Sequence, residues 1–359
     1  MIYLLCFAFS IFFCYLGYKN ENKKISNRIF SILAILIPAI LAGLRDTSIG
    51  TDVEVYLTVA HKLAQNYNDF FEYCSILDLE FLYKAMVFFV TKIFGSINMV
   101  MFIQHFIICT LFFIGAKNFK EKANPIITFS LFLLMYYNIS LNIMRQFMAM
   151  SIVFYAYKFV KEEKFLKYLF YVLLATLFHS SAIISLVIYL LYKICKSKHK
   201  YLYSFFVLGI LILAIVFYNP TLELLVKTGM INAKFMRYSL DYSVADFNYV
   251  DTLIKLYTLF ITFFQLKKLK KDKDNFFYTL ISVFDIVILQ ISIFSPQIMR
   301  LSMYFGIIAL VNVSRIITDS RQNKVPLTLV TYGIYLLYFV MYYIIGGAGE
   351  TYPYIMMRK

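Results

Sequence analysis

Twelve apolar runs separated by short polar breaks constrain this chain more than any other feature it has. They cover residues 2–18, 28–44, 97–116, 125–140, 146–160, 165–178, 181–194, 201–218, 251–266, 276–294, 298–317 and 326–345. About 20 apolar residues cross the hydrocarbon core of a bilayer without tilt. The chain is 61% hydrophobic and 15% charged, where soluble domains carry about 25% charged residues. That much apolar surface cannot be hidden in one soluble core, so most of it faces lipid. Cys6, Cys14, Cys109 and Cys195 sit in or at the edge of apolar runs, and Cys74 is alone in a polar stretch, which excludes a disulfide scaffold. The net charge of +15 is no sign of a nucleic-acid partner, because the basic residues punctuate apolar segments and form no face on a soluble domain. The expected fold is all-α: a polytopic integral membrane protein of about twelve transmembrane helices, one transmembrane domain over residues 1–359.

One further apolar stretch does not fit. Residues 81–94, FLYKAMVFFVTKIF, are only 14 long and carry Lys84 and Lys92, which suits an interfacial or re-entrant helix. Orientation tests that choice. Loops 19–28, 117–122, 158–167, 193–200, 267–274 and 315–324 hold 23 of the 35 Lys and Arg but only 7 of the 20 acidic residues. If 81–94 does not cross, all six loops fall on one side, which the positive-inside rule makes cytoplasmic. The expectation is a multi-pass protein of the cytoplasmic (inner) membrane with both termini extracytoplasmic. Met1 runs straight into apolar residues without the basic start of a signal peptide, which fits. The longest polar segments, 45–80 and 219–250, then become extracytoplasmic loops, and the basic patch 267–273 reads as an inside topology signal, with binding of anionic membrane lipid head groups the lesser alternative.

Nucleotide-binding glycine loops, zinc-protease and serine-hydrolase motifs and C-x-x-C pairs are all missing from the sequence. The four histidines at 61, 105, 179 and 199 are too scattered for a metal cage, so neither a metal nor a cofactor is expected. Gly346-Gly347-Ala348-Gly349 reads as a flexible turn. What remains is a set of polar residues at the outer ends of apolar helices: Arg45, Asp46, Asp52, Glu80, Arg145, Gln146, His179 and Arg300. A charge inside a membrane helix costs at least ~2.5–3.5 kcal/mol, so it needs a partner or a function. Arg45 alone could be a snorkelling anchor, Asp52 a helix N-cap, and His179 a packing residue. Arg145 in N-I-M-R-Q-F-M-A-M and Arg300 in S-P-Q-I-M-R-L-S-M-Y-F are flanked by apolar runs, which suggests one shared anionic ligand. Asp251 and Lys255 can pair along one helix face. Asp285 has no sequence-local partner, so it reads as a proton-relay candidate or as the partner of an arginine or tyrosine.

The segment G-L-R-D-T-S-I-G-T-D-V-E-V-Y at 43–56 resembles the EpsG family of exopolysaccharide membrane proteins, which is similar to the Wzy-type polysaccharide polymerases. The likeness continues in order with L-D-L-E ending at Glu80, N-I-M-R-Q-F-M-A, L-F-H-S-S-A around His179 and R-L-S-M-Y-F from Arg300. It departs where Phe81 and Leu82 stand in place of a glycine often found after the glutamate. The resemblance implies a GT-C-like glycosyltransferase that joins polyprenyl-diphosphate-linked oligosaccharides at the outer face. It also implies a flippase and a chain-length regulator of the same pathway as partners. Arg45, Arg145 and Arg300 would hold the diphosphate, Asp52, Glu80 or His179 would act as base, and Gln146 and Tyr56 would touch substrate. The residues themselves favour arginine for that task, since its planar fork binds phosphate oxygens bidentately and stays charged. A lipid-linked oligosaccharide transporter, with Asp285 coupling to protons, is the other reading. A transporter needs its charges near the midplane.

Overall fold

A computed structural model describes residues 1–228, 248–266, 274–291, 296–320 and 323–357 of the chain. The centre of the expected 219–250 loop and the basic patch 267–273 lie outside the described residues. Helices build the described part, with a lone antiparallel bridge between Arg45 and Met356. Five of them are long and apolar enough to cross a membrane: Ile2–Lys19, Lys24–Leu44, Ile97–Lys117, Ile298–Asp319 and Lys324–Ile345. The other apolar runs fall on shorter helices, because local breaks cut them. Contacts group the chain into two compact units, Met1–Ile183 with Ser314–Lys359, and Ile184–Val313.

The first unit opens with a helical hairpin, α1 (Ile2–Lys19) and α2 (Lys24–Leu44). Pro38 lies inside α2 and lacks an N–H, so the Ala34 carbonyl loses its helical donor. The Ser10 hydroxyl donates to that carbonyl at 2.6 Å. No water is present in a bilayer core to do the same, so this bond both heals α2 and ties α1 to it. Next come a π-helical turn, Val53–Thr58, and the short helices α3 (Val59–Asn66), α4 (Phe70–Ile76) and α5 (Phe81–Phe94), followed by α6 (Ile97–Lys117). The run 125–140 is broken at Tyr136 into α7 (Pro125–Met135) and α8 (Tyr137–Asn142). The Tyr343 hydroxyl donates to the Met135 carbonyl at that break. Ile143, at φ −80° and ψ 56°, reverses the chain into α9 (Met144–Lys161), and α10 (Phe165–Thr176) follows.

This unit has two chemically distinct ends. At one, Glu21 meets Lys120, and Asn124 exchanges hydrogen bonds with Thr318 (3.2 Å) and Ser314 (2.8 Å). At the other, the C-terminal tail lies on the chain that leaves α2. Met357 N–H donates to Leu44 O at 3.0 Å, Asp46 N–H to Ile355 O at 2.9 Å and Gly50 N–H to Glu350 O at 3.2 Å. Tyr3 near the chain start donates to Thr351 O at 2.6 Å at this same end. The glycine turn expected to be flexible is therefore a packed element, with Gly349 seated against Ile139 and Asn142.

Helix α5 begins and finishes at this second end. Leu82 N–H donates to Leu177 O at 2.9 Å, while just beyond its far terminus the Asn98 amide donates to Gly43 O at 2.6 Å. Its lysines stay on that level: Lys84 donates to Cys74 O at 2.8 Å, and Lys92 to Asn68 Oδ1 at 3.0 Å. The 14-residue segment thus lies among α3 and α4 rather than passing through the unit. Cysteines placed at Ser75 and at Glu350 in a cysteine-free background are expected to react alike with an impermeant reagent in intact cells. One placed at Lys120 should stay protected. Opposite labelling of positions 75 and 350 would contradict the tail's packing.

The second unit carries the turn Ser180–Ser185 in part, then α11 (Leu186–Cys195), α12 (Lys200–Val216), α13 (Tyr218–Lys227), α14 (Tyr249–Leu266) and α15 (Asn275–Ile291). Helix α16 (Pro296–Asp319) contains the boundary between units, and α17 (Lys324–Phe339) belongs to the first.

Candidate functional site

The site gathers at the tail-bearing end of the first unit, where α2, α5, α8, α9 and the residues after α10 meet. Two glycines set its geometry. Gly43 lets α2 approach α6, since a Cβ there would come within 2.7 Å of Phe102 Cβ. The approach brings the Asn98 amide to the carbonyls of Gly43 (2.6 Å) and Arg45 (3.2 Å), which lack helical donors at the end of α2. Gly50 adopts φ +89°, a left-handed conformation that suits glycine. A Cβ on it would lie 2.9 Å from Asn142 Cα. The turn therefore seats directly on the end of α8, where Asn142 Oδ1 accepts from Asp52 N–H at 2.9 Å and from the Thr51 hydroxyl at 3.3 Å.

Asp52 does not cap the following turn with its side chain, contrary to the N-cap expectation. Its φ −63° and ψ −22° are already helical, whereas a capping residue needs extended backbone to turn its side chain onto the N–H groups. The side chain is half-buried.

Arg145 sits in the first turn of α9 and meets Glu80, the residue just before α5: Nη1 lies 2.6 Å from Glu80 Oε2. Its guanidinium also stacks over the Tyr56 ring at 4.3 Å from the centroid and lies 5.9 Å from that of Tyr83. Glu80 Oε1 accepts from Ser180 N–H at 3.3 Å. His179 Nδ1 is 3.9 Å from the same oxygen, too far for a hydrogen bond. That nitrogen instead receives Ser181 N–H at 3.3 Å and lies 3.0 Å from the Ser181 hydroxyl. A backbone N–H can only donate, so Nδ1 is the acceptor and the ring proton resides on Nε2.

Arg45 is, with Arg315, one of the two largest fully buried side chains among the described residues, at 0% exposure. Nε and Nη2 point at two thioethers, Met101 Sδ (3.3 Å) and Met144 Sδ (3.0 Å). Nη1 has no hydrogen-bond partner among the described residues, and no carboxylate lies within ion-pair distance. A snorkelling anchor would reach the surface, so that reading of Arg45 does not hold.

The structure thus brings together Glu80, Arg145, His179 and Tyr56, with Asp52 and Arg45 on the adjoining turn and helix end. Gln146 follows Arg145 on α9 and is buried. Arg300 lies on α16 in the second unit, two residues before Ser302. Among the described residues of that unit, Asp285 meets neither an arginine nor a tyrosine. Lys255 Nζ lies 2.7 Å from its Oδ1, 3.9 Å from Asp251 Oδ2, and donates to Ser302 Oγ at 2.7 Å. The expected Asp251–Lys255 pairing is one edge of this larger buried cluster.

Sequence reasoning passed over Tyr83, Asn142 and the two methionines. Asn142 stands inside the N-I-M-R segment already singled out, while Tyr83 is one of 31 tyrosines with no local mark. No curated protein and no solved structure matches the chain. A family model does, over residues 28–356, and the chain belongs to the EpsG family of exopolysaccharide-related membrane proteins.

Proposed function

We propose that the protein is a polysaccharide polymerase, a GT-C-like glycosyltransferase of about twelve crossings in the cytoplasmic membrane, with both termini and its site facing outward. Its substrates are polyprenyl-diphosphate-linked oligosaccharides, supplied by a flippase and trimmed in length by a regulator of the same pathway. The observation that carries this reading is the cluster of Arg145, Glu80 and His179 beside a buried arginine, Arg45, at one end of a helical unit. Charges at a helix end suit a lipid headgroup whose tail stays in the bilayer, whereas a transporter gathers them near the midplane.

In the proposed step, the hydroxyl oxygen of the acceptor sugar attacks the anomeric carbon of the donor chain. The new glycosidic bond forms as the bond to the lipid diphosphate breaks, and the electron pair leaves on the diphosphate. Arg45 and Arg145 stabilise that charge. The hydroxyl proton passes to a carboxylate within hydrogen-bond reach. Asp52 or Glu80 supplies that carboxylate, Glu80 while its oxygens accept from Arg145 and from Ser180. His179 offers Nε2–H as a donor to the leaving group. Gln146 and Tyr56 contribute to the walls.

The test is reconstitution of the purified chain in liposomes with a lipid-linked repeat unit and no nucleotide sugar. A ladder of chain lengths is the expected product. Translocation of the lipid without new linkages would make the protein a transporter instead.

A further inference from the structure

Two buried donors near the site lack a hydrogen-bond partner among the described residues. The Tyr83 ring is fully buried on α5, and its hydroxyl makes no hydrogen bond among the described residues. Arg45 Nη1 is in the same state. Most buried side-chain polar atoms find a partner, so two unpartnered donors in one place call for a common explanation. They do share a place. Tyr83 packs in one buried cluster with Met101 and Met144, the residues whose sulfurs face the Arg45 guanidinium. Met144 adjoins Arg145, whose own guanidinium lies 5.9 Å from the Tyr83 ring. Arg145, Asp52, Arg45 and Glu80 all act electrostatically on the Tyr83 hydroxyl. Tyr73 also has an orphaned hydroxyl, but its ring packs in a separate buried cluster with Ala64 and Phe88.

The two arginines differ in what they can offer a ligand. Arg145 is neutralised by Glu80 at 2.6 Å, whereas Arg45 faces only thioethers, which are weak acceptors. An unpaired guanidinium buried among aromatic and thioether side chains is costly until an anion joins it.

We propose that Arg45 Nη1 and the Tyr83 hydroxyl together form an oxyanion subsite that takes a phosphate oxygen of a diphosphate. This rests on the lipid-diphosphate reading above and adds Tyr83, a binding residue of the α5 segment, to it. In this assignment Arg45 supplies the uncompensated positive charge, and the Arg145–Glu80 pair forms the neutral flank.

Tyr83→Phe removes the hydroxyl and keeps the ring. The measurement is the thermal midpoint of the full-length protein in nanodiscs, alone and titrated with inorganic pyrophosphate or with a short-chain prenyl diphosphate. The unliganded Tyr83→Phe protein should melt at or above the wild-type midpoint, because an orphaned hydroxyl contributes nothing until the ligand arrives. Its apparent affinity should fall about 10- to 100-fold, as for loss of a hydrogen bond to a charged group. Arg45→Gln should lose at least as much affinity without lowering the unliganded midpoint. A response to both probes assigns recognition to the diphosphate itself. A response to the prenyl compound alone assigns it to a lipid headgroup. If Tyr83→Phe melts lower without ligand, or binds as the wild type does, the subsite is wrong while the lipid-diphosphate reading stands. If the wild type binds neither probe, that reading falls and the subsite falls with it.

Discussion

Replacing Arg145 by alanine is expected to lower polymer formation roughly 30- to several-thousand-fold in liposomes supplied with lipid-linked repeat units. The cost of truncating one partner of a desolvated charge pair is about 2–5 kcal/mol, and each 1.4 kcal/mol is a decade. Two losses combine here. The ligand loses a donor, and Glu80 is left with a negative charge where Arg145 Nη1 stood 2.6 Å away. Lysine at 145 should recover only part of the rate, since an ammonium cannot keep both the Glu80 contact and the flat stack over Tyr56. Glu80→Gln combined with Arg145→Ala should cost less than the two single losses added together, because the pair acts as a unit. Wild-type polymer yield from a well-inserted Arg145→Ala protein would remove Arg145 from the chemistry.

Lys255→Met is expected to be the most destabilising single change in the second unit. It leaves Asp285 and Asp251 buried without the ammonium that lies 2.7 and 3.9 Å from them. Breaking a buried pair from one side costs about 3–5 kcal/mol, whereas removing both charges together is close to neutral. Thermal melting of the purified protein should show a deep loss for Lys255→Met and a substantial recovery in the double variant with Asp285→Asn. The same pair bears on the choice of function. A proton-coupling carboxylate should abolish activity as Asp285→Asn while the protein stays as stable as before. A structural one should show its effect in the melt and spare chain-length ladders.

Much of this architecture is written in the apolar runs and the charges between them. The lysines of 81–94 and the one-sided basic loops point to a helix that does not cross, and α5 does start and finish at one end of its unit. The breaks inside runs were harder to see. Tyr136 and Ile143 interrupt a continuous apolar stretch through backbone angles that no local residue type demands. Asp52 looked like a cap because its type fits one, yet the Gly50 turn seats it in helical backbone against Asn142. For the site, charged residues in an apolar chain announce themselves, which is why Glu80, Arg145 and His179 could be named from sequence. Their pairing could not, since Glu80 and Arg145 are 65 residues apart and meet only through the fold. Lys255 and Asp285, 30 apart on different helices, illustrate the same limit. Tyr83 shows a different one: a tyrosine marks itself as a binding group only through the company of its hydroxyl.

The clasp between residues 44–50 and 350–357 also sets an order of events in biogenesis. Leu44 and Asp46 exit the ribosome some three hundred residues ahead of the tail residues that pair with them, Met357 and Ile355. Contacts that far apart in sequence close late, after the loop-closure entropy has been met by everything between. Through most of translation, then, Arg45 stands without the tail that later bridges to it. Truncations, tags or stalled ribosomes near residue 350 should accordingly yield chains that are inserted yet have an open, solvated arginine, and quality control would meet the defect at the opposite end of the sequence from the lesion.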